Sequence, residues 1–170
     1  FAFIMPGYTA SDFDIAEGIE YEVLDQPQSV KNQDKVEVIE FFSYACPHCY
    51  KLEPHVVEWL KTKPENIDFI QVPAIFNPQW EAFASIYYTA EELGLADKLH
   101  PLIFEAIHGP GKKLKNLDDL KAIFTSNGVS ANDFDSTLKS FAVANKIRKS
   151  KAMTKDYSVK SVPVVIVNGR

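Results

Sequence analysis

At 170 residues, 46% hydrophobic and 24% charged, the chain has the size and composition of one globular domain that can carry an inserted subdomain. A formal net charge of -5 argues against nucleic acid or an anionic membrane surface as partner. No apolar run approaches the roughly 18 residues of a membrane helix.

Phe1-Ala-Phe-Ile-Met5 is apolar and gives way to Gly7, Thr9, Ala10 and Ser11. Residues 1–20 therefore read as a leader, either the tail of a secretory signal or a short strand or disordered stretch. Tyr21-Glu-Val-Leu24 alternates and predicts a short edge strand ended at Asp25-Gln-Pro27. Val36–Phe42 is β-branched and aromatic, as a buried strand requires. Pro47 suits a first helical position, where its missing N–H costs nothing. Leu52, Val56, Trp59 and Leu60 then recur at helical spacing, so a helix runs to about Thr62 and stops at Lys63-Pro64.

Ile67–Val72 predicts a second inner strand. Asn77-Pro78 opens a helix with Trp80, Phe83, Ala84, Tyr87 and Tyr88 on one face, ending near Leu93-Gly94. Amphipathic segments follow at Ala96–Ile107, Leu117–Ser126 and Ala131 to about Thr154, with Asn116 and Ser130 as N-caps. Gly109-Pro-Gly111 and Asn127-Gly128 punctuate them. Ser161–Gly169 returns to strand, with Asn168-Gly169 as a hairpin turn. The order predicts an α/β fold in which residues 21–75 and 155–170 build the sheet domain and residues 76–154 form a helical insertion.

Both cysteines lie in Phe41-Phe-Ser-Tyr-Ala-Cys-Pro-His-Cys-Tyr50. Two are too few for a disulfide scaffold, and a bridge across so small a ring would stabilise little. Haem attachment would need histidine directly after Cys49, where Tyr50 stands. A zinc site would need a second ligand pair, and the histidines are scattered, so metal is not expected. A reaction centre fits best. Cys46 falls at a strand-to-helix junction, where unpaired N–H groups and the helix dipole favour a thiolate. His48, between the thiols, is placed to donate to the Cys46 sulfur; its plain alternative is a solvated surface histidine. Cys49 lies one turn on and more buried, and a stabilised Cys46 thiolate makes the disulfide oxidising.

The stretch Glu40-Phe-Phe-Ser-Tyr-Ala-Cys-Pro-His-Cys49, with Ser161-Val-Pro-Val-Val-Ile-Val-Asn-Gly169, closely resembles the active-site segment and cis-proline loop of the DsbA family in the thioredoxin superfamily. The resemblance runs from about Tyr21 to the end. It implies a thioredoxin-like fold with an inserted helical subdomain, and a periplasmic enzyme that donates a Cys46–Cys49 disulfide to reduced, folding secreted polypeptides. Cys46 is then the exposed nucleophile and Cys49 the resolving thiol. Pro163 is cis, and the backbone of Val162 pairs with an extended substrate. No cofactor beyond the redox-active disulfide is implied, and the reoxidising partner is a membrane quinone-linked oxidase of the DsbB type.

Glu40 matches the family's buried acid, with an outward-turned strand residue as the alternative. Glu53 falls where the family often has another acid, or is a solvated helix residue. The family's lysine opposite the buried acid aligns with Phe69. The chain ends at Arg170, where the family continues with one more strand and a helix. Tyr44, Ala45 and Val162 are expected to give the site apolar surroundings. Rival functions are an isomerase or reductase with the same site, a peptide-holding chaperone, and a glutathione-linked transferase, which Cys49 argues against.

Overall fold

The computed structural model describes residues 15–111, 114 and 117–170. The leader up to residue 14 and the Asn116 cap lie outside the described residues. β1 (Val36–Phe42) is flanked by α1 (Pro47–Leu60) and followed by β2 (Ile67–Pro73). Five helices come next: α2 (Pro78–Glu92), α3 (Ala96–His108), α4 (Leu117–Ser126), α5 (Ala131–Leu138) and α6 (Phe141–Asp156). β3 (Val164–Val167) closes the described sheet in the order β2-β1-β3.

β1 is central because its sequence can be buried on both faces. It pairs parallel to β2, Glu40 opposite Gln71, and antiparallel to β3, Glu40 opposite Val165. The two-residue period of a strand divides its side chains. Ile39 and Phe41 join Val72, Tyr157, Val159 and Ile166 in one core. Phe42 joins a larger core with Tyr44, Tyr87, Leu99, Ile103 and Phe104, built mostly from the inserted helices. Glu40 shares the parity of Phe42 and is 1% exposed, so the fold takes a carboxyl into this second core.

The helix starts follow local chemistry. The Asn77 side chain accepts from the Trp80 N–H, Ser130 from Asp133 and Ser140 from Val143, each satisfying a first-turn donor. Ser140 is also why the segment expected as one helix from Ala131 to Thr154 is two, since its cap starts a new helix after Leu138. The edge strand expected at Tyr21–Leu24 is not formed. Tyr21 makes only an isolated bridge with Glu17, and Tyr21 and Val23 remain about half exposed with no sheet neighbour to reward the alternation.

The turn after β3 is held from two sides. Asn168 and Gly169 both take positive φ, and Asn168 exchanges hydrogen bonds with the Glu37 backbone. Gln28 reaches across from the early chain, its N–H donating to the Gly169 carbonyl at 2.8 Å and its side-chain amide to that of Asp156 at 3.1 Å.

Candidate active site

Past Phe42 the chain turns sharply. The Ser43 hydroxyl accepts from the Ala45 N–H, and the Ser43 carbonyl accepts from that of Cys46 at 3.0 Å. The turn leaves Cys46 as the extended N-cap of α1, with Pro47 in the first turn. Both thiols are free. Cys49, one turn in, is 1% exposed. Burial pushes its thiol well above the ordinary value, and its hydrogen bond with Cys46 and the charge of Glu40 add to the rise, while a Ser43 backbone hydrogen bond opposes it.

The Cys46 sulfur donates to the Val162 carbonyl at 3.4 Å, and the Val162–Pro163 peptide bond is cis. The loop before β3 thus lies over the sulfur. This corrects the expectation of an exposed Cys46: the residue is 8% exposed, and the solvent-facing members of the motif are Pro47 and His48. Tyr44 is corrected in the same way. At 1% exposure its ring belongs to the core, leaving half-buried Ala45 and Val162 beside the sulfur.

Behind the cysteines lies a buried polar cluster. Glu53 is 5% exposed, so neither acid is the solvated residue that was its alternative. The Gln71 amide donates to Glu40 at 2.9 Å. Burial raises the Glu40 carboxyl above its ordinary value; the Gln71 hydrogen bond opposes this, nearby Glu53 adds to it, and His100 opposes it. The residue facing Glu40 is therefore Gln71, while Phe69 pairs with Val38 and packs edge-on to Trp59 at 5.4 Å.

Sequence reasoning missed Gln71 and His100. His100 is 3% exposed, with Nδ1 2.8 Å from the Tyr44 hydroxyl and Nε2 3.2 Å from both Gln71 and Glu53. The available signal was its spacing: His100, Ile103 and Phe104 fall at i, i+3 and i+4 on one helix face. Among the described residues, no group of three or more His, Cys, Asp or Glu is arranged to hold a metal ion, and no helix is long and apolar enough to cross a membrane.

A dithiol at a helix N-terminus, faced by a cis-proline loop on a thioredoxin-type sheet, defines a thiol–disulfide oxidoreductase. The comparisons with known proteins agree. The model of the DSBA-like thioredoxin domain matches residues 65–170, and that of thioredoxin residues 22–88. The thiol:disulfide interchange protein DsbA of Pseudomonas syringae pv. tomato is 38% identical over 92% of this chain and 73% of its own. That of Pseudomonas aeruginosa is 36% identical over 96% and 78%.

Among solved structures, P. aeruginosa DsbA superposes with a TM-score of 0.77 at 36% identity, over 86% of this chain and 76% of its own. Proteus mirabilis DsbA with a non-covalently bound peptide gives 0.77 at 29% identity, over 92% and 83%. The chain belongs to the DsbA family of thiol:disulfide interchange proteins. It is a thiol–disulfide oxidoreductase acting on the thiols of protein substrates.

Proposed function

We propose that the chain works in the periplasm as a disulfide donor to reduced, folding secreted polypeptides, with Cys46 as the attacked sulfur and Cys49 as the leaving one. A substrate thiolate attacks the Cys46 sulfur of the oxidised protein, the Cys46–Cys49 bond breaks, and Cys49 leaves as a thiolate that takes up a proton. The substrate's second thiolate then attacks the substrate sulfur of the mixed disulfide. Cys46 leaves with the electron pair, the substrate departs oxidised and the protein remains reduced.

The observation carrying this reading is the Cys46 sulfur at the N-terminus of α1, 3.4 Å from the Val162 carbonyl, with Cys49 buried behind it. First-turn N–H groups favour the negative charge that develops on Cys46. Pro47 and His48 form the exposed rim, His48 as a donor to that charge. The Val162 backbone pairs with an extended substrate beside Pro163, and peptide binding by the related P. mirabilis protein supports a peptide substrate. Glu40 and Glu53 manage protons below the site. The disulfide is the sole redox group, and a quinone-linked membrane oxidase of the DsbB type restores it.

The test is equilibration of the Cys46–Cys49 pair in glutathione buffers, read by tryptophan fluorescence. The pair should stay reduced until the buffer is strongly oxidising. A pair already oxidised in reducing buffer means a reductant, and the donor reading fails.

A further inference from the structure

We propose that His100 is the buried proton carrier for Cys49, acting with Glu53 on one side and Glu40 on the other as a positioning residue that does not touch the substrate. The inference rests on the donor reading, in which Cys49 leaves as a thiolate. That sulfur is 1% exposed and its front is covered by Cys46, the Val162 loop and any bound substrate. Its proton must therefore come from behind.

The hydrogen-bond pattern points to a proton held there. Gln71 donates one N–H to Glu40, and the same nitrogen lies 3.2 Å from His100 Nε2. If the amide also donates to that ring nitrogen, Nε2 is an acceptor and faces a second acceptor, Glu53 Oε2, at 3.2 Å. Glu53 Oε2 is buried with no other hydrogen-bond partner. Only a proton between Nε2 and Oε2 makes that contact favourable. With the amide reversed, its oxygen meets Glu40 at 2.9 Å and the proton must sit on Glu40 instead. Either orientation places a shared proton at the Nε2–Oε2 contact or on Glu40, and a neutral imidazole with its own proton on Nε2 fills the same contact.

The groups facing His100 are Glu40 from β1, Gln71 from β2, Glu53 from α1, Tyr87 from α2 and Tyr44 from the turn, with Phe42 and Phe104 ring edges within 5 Å centroid distance. Asp97 lies a turn earlier on α3 itself. Glu53 also lines a groove of about 490 Å³ between α1 and α3, together with Pro54, Val57, Pro101 and Leu102. Each proline removes a helical N–H, so the carbonyls of Tyr50 and Asp97 lose their usual helical donor near this groove. The groove thus borders the cluster at Glu53, whose Oε2 is itself covered. The leaving Cys49 thiolate takes the stored proton through Glu40, and a proton from water in the groove refills the Glu53–His100 pair. One S–S bond forms, one breaks, and one proton enters.

The test is single-turnover reduction of the disulfide by a dithiol peptide between pH 5 and 8, in H2O and D2O, for the parent and His100→Gln. The variant should keep the parent's thermal midpoint within a few degrees, lose at least about tenfold in rate, show a flattened pH profile and gain a solvent isotope effect. A His100→Gln protein with the parent's rate and profile overturns the proposal. Should that variant fail to fold, Glu53→Gln must show the same flattening, and an unchanged profile there overturns it equally. A parent that does not oxidise the peptide at all sinks the donor reading instead.

Discussion

Glu40 sits in the central strand at 1% exposure, with one amide as its hydrogen-bond donor. Burial, its main influence, raises its folded-state pKa, so the carboxyl binds its proton more tightly folded than unfolded. Its contribution to stability is then fully present below the ordinary carboxylate value and is lost as pH rises through the raised one. Glu40→Gln keeps the acceptor for Gln71 and removes the charge. It should raise the melting temperature at pH 7, by about 2–4 °C for each kcal/mol relieved, and the gain should vanish near pH 4. Thermal scans of both proteins at the two pH values decide it; a lower midpoint at pH 7 counts against the account. The cysteines differ at the same scale. Cys49 is buried and its thiol raised, so alkylation of the reduced protein should label Cys46 first, and Cys46→Ser should leave Cys49 unlabelled until unfolding. Mass spectrometry after brief iodoacetamide exposure reads this directly.

At the scale of elements, caps and core residues set the architecture. Removing the α6 cap with Ser140→Ala should cost about 1 kcal/mol, and removing the core ring with Phe104→Ala about 3–5 kcal/mol, both measured from denaturation midpoints. The inner strands and the Cys46–Pro47 helix start were legible because composition, period and proline position all act locally. The break between α5 and α6 was less so: Leu138 and Phe141 keep an apolar period across it, and of the two polar residues between them only Ser140 is a capping type that marks the new start. His100 and Gln71 were hidden for a different reason. A buried polar side chain is tolerated only when its partners arrive from elsewhere, and here they come from β1, α1 and the turn at Tyr44. The short alternation at Tyr21–Leu24 misled in the opposite direction, since a strand pattern without a neighbouring edge forms no strand.

Across the whole molecule, the site depends on contacts between distant parts of the chain. β1 is completed by β3, and the turn after β3 is clasped by Gln28. Gly169 holds positive φ, and a Cβ there would strike the Gln28 carbonyl. Gly169→Ala should therefore destabilise by about 1–3 kcal/mol, seen as a lower denaturation midpoint with the helical content retained. Cys46 and the Val162 carbonyl that covers it are 116 residues apart in sequence. At synthesis rates of about 5–20 residues per second, that separation lasts roughly 6–23 s. During that interval the newborn chain carries two thiols with no loop above them, so a protein that handles the cysteines of others begins life with its own unguarded.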